Sequence, residues 1–207
     1  MAHNSPELVS ASLDGDLAAV RQLVAGGADA NSTDEHGIGP LLTSDPAVTE
    51  FLLSHGADPN RQTNENGAPV LFGVAYMNGT ASARLLLAAG ANPNIPRAAT
   101  GEAALHACLA KPDGDRIELV RLLLQYGADP NLRTQPGVRS FCFWRDVRTR
   151  AETPLHRAAA YAPDEILQLL LSAGADKTIR DVNGDSPQSW ASWHWRSKSV
   201  IDLLDPS

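Results

Sequence analysis

Cysteine, aromatic residues and long apolar runs are all scarce in this chain. Its 207 residues include two Cys, four Phe, four Trp and three Tyr. Two cysteines cannot crosslink a scaffold of this length, so disulfides do not organise the fold. No run approaches the roughly 18 apolar residues that a membrane-spanning helix needs. The first ten residues are neither basic nor apolar, as a secretory signal would be. We therefore expect a cytoplasmic protein without a membrane span.

Sites for metals, cofactors and nucleic acids are also poorly represented. His36 and His55 have no second ligand at a spacing that suits a metal ion. The glycines Gly26 and Gly27 follow an apolar helix, whereas a phosphate-binding loop would have to precede one. The formal net charge of -7 disfavours a dedicated nucleic-acid-binding protein, because such proteins carry basic surfaces. The sequence thus predicts no metal and no cofactor.

One nine-residue phrase recurs five times along the chain. It reads LVAGGADAN, LLSHGADPN, LLAAGANPN, LLQYGADPN and LLSAGADKT, at residues 23–31, 52–60, 86–94, 123–131 and 170–178. A second phrase lies between the copies. It is clearest as TPLHRAA at residues 153–159 and weaker as AALHAC at residues 103–108. Repetition of this kind is the sequence signature of a repeat array.

Each repeat has the pattern of two short helices followed by a turn. Thr153 can cap the first helix with its hydroxyl, and Pro154 suits the first helical position, where an N–H would have no partner within the helix. The second helix ends before a glycine, as at Gly90 and Gly127, where a left-handed cap disfavours side chains. Because a single pair cannot bury both of its faces, the pairs must stack into a solenoid.

These phrases resemble the ankyrin-repeat family, whose unit joins a TPLH helix, a second helix and a GADxN turn into a projecting hairpin. The resemblance implies an all-α fold, an ankyrin-repeat α-solenoid of about six helix pairs with short β-hairpin turns and one long hairpin insertion. A single domain over residues 1–207 is expected. Its parts are a cap at 5–33, units at 34–62, 65–96, 99–133 and 150–180, and a C-terminal cap at 182–205.

The same resemblance implies a function. It favours a noncatalytic protein-protein interaction scaffold that binds a protein partner on the concave face formed by hairpin tips and first helices. It also gives His106 and His156, which occupy the TPLH position, a structural role as hydrogen-bonding groups that tie a hairpin to a helix.

The second unit is short. Only 17 residues separate Gly39 from Gly56, whereas 21 separate Thr153 from Gly174, a deficit of about one helical turn. Asp45-Pro46 is expected to break the first helix of this unit and to leave a stub.

One hairpin carries a long insertion at residues 135–150. The interval from Asn131 to Thr153 is 22 residues, against 8 from Asn60 to Ala68. The insertion contains four Arg, one Asp and three aromatic residues, so it is basic within an acidic chain. Long loops are often functional, and arginine pairs well with carboxylates, so we predict that it contacts a protein partner with an acidic segment. The predicted contact residues are Arg139, Phe141, Phe143, Trp144, Arg145, Arg148 and Arg150.

Three other interpretations of the insertion stay open. The segment VRSFCFW has the composition of a two-stranded ribbon whose rings pack on the helical stack. Arginines interleaved with aromatic rings are suited to contact single-stranded nucleic acid. Arginines near Cys142 are suited to activate its thiol, as a thiol-dependent enzyme or a redox-regulated protein requires. Cys108, by contrast, occupies a packing position on a helix, where a thiol is inert.

Three tryptophans concentrate in the C-terminal cap. Trp190 and Trp193 share one helix face and are expected to plug the open end of the stack. Trp195 lies off that face and is predicted to be an exposed contact for a partner. We expect a monomer, and the alternative is a homodimer that pairs through the short second unit and this tryptophan end.

Overall fold

A computed structural model describes residues 5–63, 67–111, 115–140 and 148–206 as short helices joined by turns. The helices in these ranges are α1 Pro6–Leu13, α2 Leu17–Ala25, α3 Pro46–Ser54, α4 Val70–Tyr76, α5 Thr80–Ala88, α6 Ala104–Cys108, α7 Ile117–Gln125, α8 Pro154–Tyr161, α9 Asp164–Ser172, α10 Pro187–Trp193 and α11 Lys198–Leu203. Two short strands, β1 Gln62–Thr63 and β2 Ala68–Pro69, pair antiparallel in one hairpin.

The helices stack in sequence order, which confirms the predicted all-α solenoid. Within a unit, α1 packs on α2, α4 on α5, α6 on α7, α8 on α9, and α10 on α11. Between units, first helices pack on first helices, as α4 does on α6 and α8 on α10, while α3 packs on α5 and α7 on α9. One apolar core runs through the stack from Leu8 to Leu204. The fold is therefore stabilised by contacts between neighbouring units.

The second unit has α3 as its single helix in the described residues, so there are five pairs and one lone helix where about six pairs were predicted. A turn closed by the Leu42 N–H and the Gly39 C=O lies where the first helix would be. Asp45-Pro46 does not interrupt that helix but starts α3. The Asp45 carboxylate accepts a hydrogen bond from the Val48 N–H at 2.9 Å, and Pro46 takes the first helical position.

Glycines end the second helices as predicted. Gly56, Gly90, Gly127 and Gly174 have φ angles of 84°, 92°, 81° and 88°. A Cβ added at any of the four would meet nothing within 4 Å. Backbone conformation, and not lack of space, therefore selects glycine at these positions.

Histidine rings organise the starts of α6 and α8. His156 Nδ1 accepts a hydrogen bond from the Thr153 N–H at 3.1 Å, and His106 Nδ1 accepts one from the Ala103 N–H at 3.2 Å. The expected cap by the Thr153 hydroxyl on the helix N–H groups is absent, because that hydroxyl lies 2.9 Å from the same ring nitrogen. His156 Nε2 donates to the Asp185 C=O at 3.1 Å, which is the implied tie between hairpin and helix.

The final asparagine of the repeated phrase fastens each unit to the next one. Asn94 Nδ2 donates to the Gly127 C=O at 2.8 Å, and Asn94 Oδ1 accepts from the Asp129 N–H at 2.8 Å. The asparagines that end the first, second and fourth phrases make the same two bonds to the following unit. The repeated Asn is thus a contact between units as well as a turn residue.

Asn94→Ala is expected to lower the free energy of unfolding by about 1–3 kcal/mol, because it removes two hydrogen bonds across one unit boundary. Urea denaturation followed by circular dichroism measures the change. Asn183→Ala is the matched control, since Asn183 is exposed and its side chain makes no hydrogen bond within the described residues. Equal, small effects of the two substitutions would contradict the role of Asn94.

Candidate partner-binding surface

The described ends of the insertion pair as the base of an antiparallel ribbon. Arg139 lies opposite Arg148 in an antiparallel bridge. Backbone hydrogen bonds join the Gly137 N–H to the Thr149 C=O at 2.7 Å and the Thr149 N–H to the Val138 C=O at 2.8 Å. The ribbon interpretation therefore holds for this base, defined by residues 137–140 and 148–150.

Five residues of interest in the insertion lie outside the described residues. They are Phe141, Cys142, Phe143, Trp144 and Arg145. Their contact with a partner, and the thiol chemistry of Cys142, stay predictions.

The two faces of the ribbon base have different surroundings, because successive residues of an extended strand point to opposite sides. Ser140 and Thr149 are buried on the side of the helical stack. Arg139 and Arg148 are exposed to solvent, and Arg150 is half-buried. The structure thus brings three of the predicted contact arginines together at the base of the insertion.

A buried ion triad, Glu102, Arg157 and Glu152, lies beneath this base. Arg157 is 1% exposed, and its Nη2 is 2.6 Å from Oε1 of Glu102 and 2.6 Å from Oε1 of Glu152. Its Nη1 donates to the His106 C=O at 3.0 Å. Burying charge is unfavourable unless the charges are paired and hydrogen-bonded, so the three side chains depend on one another.

The two glutamates of the triad also hold the insertion. Glu102 Oε1 accepts a hydrogen bond from the Ser140 hydroxyl at 2.7 Å. Glu152 Oε2 accepts from the Thr134 hydroxyl at 2.7 Å and from the Arg150 N–H at 2.6 Å. Both strands of the ribbon base are therefore tied to α8 through the triad.

Charge pairing keeps all three groups of the triad ionised. Burial by itself would raise the pKa of Glu152, but the attraction of Arg157 and several hydrogen bonds outweigh burial and lower that pKa to about 2. The pKa of Glu102 is lowered for the same reasons. Burial by itself would lower the pKa of Arg157, but the two carboxylates raise it.

Sequence reasoning did not find the triad, although a signal for it was present. Glu102 and Glu152 each precede a first-helix phrase directly, and Arg157 stands where the previous unit has Ala107. A charge within a run of small residues on a packed helix face requires a buried partner.

The first helices α6 and α8 expose fewer side chains than the family resemblance implied. Every residue of α6 is buried, and in α8 only Tyr161 is exposed. A helix that is buried all round is enclosed by its neighbours. In these two units the first helices therefore contribute almost no side chains to a binding surface, and the exposed charges lie on the hairpins and on the second helices.

The three C-terminal tryptophans have different surroundings. Trp190 is buried as expected, with its Nε1 donating to Asp181 Oδ2 at 3.2 Å and its ring edge-on to His156 at 5.5 Å. Trp193 is 54% exposed, so its predicted plugging role is wrong. It is the last residue of α10. Trp195 is exposed as expected, with a left-handed φ of 56°.

The described residues offer little catalytic chemistry. Burial raises the pKa of the Cys108 thiol to about 12, so this thiol is protonated at neutral pH and is a poor nucleophile. Within the described ranges no group of three His, Cys, Asp or Glu is arranged to hold a metal ion. None of the helices in those ranges is long and apolar enough to cross a membrane.

Two family models match most of the stack. The model for ankyrin repeats in three copies matches residues 42–134, and the model for a single ankyrin repeat matches residues 152–182. Among curated relatives, the E3 ubiquitin-protein ligase KEG of Arabidopsis thaliana is 32% identical over 70% of this chain, which spans 9% of that protein. A putative ankyrin repeat-containing protein of Treponema pallidum is 29% identical over 61% of this chain, which spans 42% of that protein.

Solved structures share the same architecture. A chain from the complex of a predatory endopeptidase of Bdellovibrio bacteriovorus with an immunity protein matches with a TM-score of 0.77 and 23% identity, over 98% of both chains. An ankyrin repeat domain from Acinetobacter baumannii matches with a TM-score of 0.66 and 28% identity, over 84% of this chain and 85% of that one. The recurring phrases, the stacked helix pairs and both family models agree, so this chain belongs to the ankyrin-repeat family, whose repeats generally mediate protein-protein interaction.

Proposed function

We propose that this chain is a noncatalytic scaffold that binds a protein partner through its insertion and the hairpins on either side of it. The observation that carries the proposal is the fastening of the ribbon base to the buried triad. A buried ion pair is often no more stabilising than apolar residues of the same volume. Its clearer effect here is on geometry, because it gives the base of the insertion one orientation.

A preset orientation favours binding. A surface that is ordered before its partner arrives loses less conformational entropy on association. Ser140 and the Arg150 N–H hold one strand each at the triad. The exposed Arg139 and Arg148 are therefore presented on a base that is already ordered.

The chemistry of the insertion suits a protein partner. Arginine and aromatic side chains are the residues most often found to dominate binding free energy in protein interfaces. Arg139 and Arg148 are exposed at the base, and the predicted contacts at Phe141, Phe143, Trp144 and Arg145 complete the surface. Trp195, which is 94% exposed, is the predicted contact at the C-terminal end.

Affinity purification of native partners with the full chain as bait tests this proposal. The test variant replaces residues 141–147 by Asn-Gly, so that Ser140, Asn and Gly form a three-residue hairpin loop between the paired Arg139 and Arg148 and the register of the base is kept. We expect it to lose the partner. Trp195→Ala is run beside it to test the C-terminal contact separately. Retention of every partner by the shortened variant would overturn the proposed surface.

Ser140→Ala tests whether the triad positions the insertion. Its matched control is Ser82→Ala, because Ser82 is also buried and lies 3.0 Å from the Thr49 hydroxyl, far from the insertion. Both variants should lose similar thermal stability, while Ser140→Ala alone should weaken partner binding. Equal binding by the two variants would show that the bond from Ser140 to Glu102 does not position the surface.

A further inference from the structure

The basic surface at the insertion extends beyond the insertion to arginines that flank it in sequence or in space. Its members, called here the arginine surface, are Arg133, Arg139, Arg148, Arg150 and Arg180. Arg133 Nη2 donates to the Arg180 C=O at 2.7 Å, and its Nε donates to the Ala151 C=O at 3.0 Å. The Arg150 C=O accepts from the Val182 N–H at 2.8 Å. Arginines from two consecutive hairpins are therefore held side by side.

Several arginines elsewhere in the stack are paired with carboxylates. Arg84 lies 2.7 Å from Glu118, and Arg121 lies 2.9 Å from Glu165. Arg157 is paired with the two glutamates of the triad. Each of these guanidinium groups is paired with a carboxylate of the same chain.

Arg133, Arg148 and Arg180 differ from these paired arginines. Arg148 Nη1 donates to the Gly137 C=O and Arg180 Nη1 donates to the Gly184 C=O, both at 2.9 Å. Neither of them, nor Arg133, makes an ion pair within the described part of the chain. Carbonyl oxygens orient a guanidinium group and leave its positive charge available.

In the part of the chain that the structure describes, Asp181 and Asp185 lie on the same hairpin as Arg180, and Glu152 accepts a hydrogen bond from the Arg150 N–H. Asp181 accepts a hydrogen bond from the Trp190 Nε1–H at 3.2 Å. Burial and the neighbouring Asp181 raise the pKa of Asp185, although Arg150 and Arg180 act in the opposite direction. Among the described residues, five arginines therefore lie near Asp181, Asp185 and Glu152, and Glu152 is already paired with Arg157, so the surface has a net positive charge.

We propose that the arginine surface binds an acidic segment of a protein partner. This inference rests on the proposed function and names the chemistry of its partner. A guanidinium fork whose position is preset matches a carboxylate with two parallel hydrogen bonds. Arg148 and Arg180, each oriented by a carbonyl oxygen, provide two such forks.

The charge of the remaining chain favours a short acidic peptide over a nucleic acid. The chain has a formal net charge of -7, and the five arginines contribute +5, so the other residues carry -12. A long polyanion that extends beyond the arginine surface would be repelled by this acidic remainder. A short acidic segment of a protein lies within the basic surface and avoids that repulsion.

Fluorescence anisotropy with a labelled oligoglutamate peptide tests the inference. The full chain should bind this peptide, and the affinity should fall as salt is added. Arg133→Gln/Arg180→Gln should weaken binding roughly tenfold, because both charges lie in the surface but outside the insertion. Arg84→Gln/Arg121→Gln is the matched control, since it removes two charges from the paired arginines on the second helices, and it should change affinity less than about twofold.

Several results would overturn the inference. Equal weakening by the two double variants would mean that net charge alone governs binding. Tighter binding of a labelled oligothymidylate than of oligoglutamate would assign the surface to nucleic acid. If Arg133→Gln/Arg180→Gln lowers the melting temperature, Arg180→Gln is tested alone. This single substitution removes an exposed guanidinium group that bonds one carbonyl. Unchanged peptide affinity of Arg180→Gln would then contradict the proposal.

The two proposals fail in different ways. If the native partner is lost with the shortened insertion but is retained by Arg133→Gln/Arg180→Gln, the scaffold function stands and the acidic-segment inference falls. If the shortened insertion retains every partner, the proposed function itself falls.

Discussion

Arg157→Ala is expected to lower the free energy of unfolding by about 3–5 kcal/mol, because it leaves two buried carboxylates without their shared cation. Glu102 and Glu152 are 0% and 2% exposed, so bulk solvent does not stabilise their charges once the guanidinium group is removed. Urea denaturation near neutral pH, followed by circular dichroism, measures the loss. The substitution leaves the backbone of α8 unchanged, so the measured loss of stability is due to the Arg157 side chain.

The matched control is Arg121→Ala on the second helix α7. Arg121 lies 2.9 Å from Glu165, but both side chains are about half exposed, and such a pair contributes less than about 1 kcal/mol. Comparable losses in the two variants would contradict the view that the buried triad is a strongly coupled unit.

A triple substitution separates stability from positioning. Glu102→Gln/Glu152→Gln/Arg157→Met removes all the charges of the triad together, and such replacements are often neutral or stabilising. We expect this variant to keep most of the stability of the original chain but to bind the partner more weakly, because the ribbon base loses its charged anchors. Full binding by a stable triple variant would show that the charges are not needed to orient the insertion.

Stability is expected to fall as the pH falls from about 6.5 to about 4, mainly because of His106. Burial, followed by repulsion from Arg157, lowers the pKa of this ring from 6.5 to about 4. The unfolded chain therefore binds a proton at a higher pH than the folded chain does, and protonation favours unfolding. This difference corresponds to roughly 3 kcal/mol, which is present above pH 6.5 and is lost by about pH 4.

Neighbouring groups define the rest of the pH profile. The pKa of His156 is also lowered by burial, so His156 acts in the same direction as His106. The triad glutamates titrate at lower pH. Because the pKa of Glu152 falls from 4.5 to about 2, its contribution is present above about pH 4.5 and is lost toward pH 2. Two successive losses of stability are therefore expected on acidification.

Urea midpoints measured between neutral pH and about pH 4 test the histidine part of this profile. His106→Asn should flatten the dependence, because asparagine offers an acceptor to the Ala103 N–H but does not titrate. His55→Asn, at an exposed position, is the control and should leave the profile unchanged. A full pH dependence in His106→Asn would assign the acid sensitivity to other groups.

The repeat pattern predicted the architecture because its determinants are local. A glycine such as Gly90, directly after an apolar helix, specifies a left-handed cap with little help from distant residues. The triad was out of reach because Arg157 and Glu102 are 55 residues apart in sequence. Their contact depends on how adjacent units stack, and the repeat period of the sequence does not show how deeply a side chain is buried.

Two sequence predictions were wrong because the same short sequence pattern is compatible with two structures. Asp45-Pro46 can end one helix or start the next, and the hydrogen bond from the Val48 N–H decides for a start. Trp193 shares a face with Trp190, but Trp190 is buried edge-on to His156 of the preceding unit whereas Trp193 is mostly exposed. At the end of a stack, helical spacing gives the direction of a side chain and leaves open whether anything covers it.

The asparagine bonds between units have an evolutionary consequence. Asn94 and its equivalents bond only backbone atoms of the next unit, so the junction does not depend on that unit's side chains. Recombination can therefore duplicate or delete an internal repeat and still recreate a complete junction. The last phrase ends in Thr178, whose hydroxyl turns back to Asp176. The pair that follows, α10 and α11, is therefore attached without this junction, through the packing of α10 on α8.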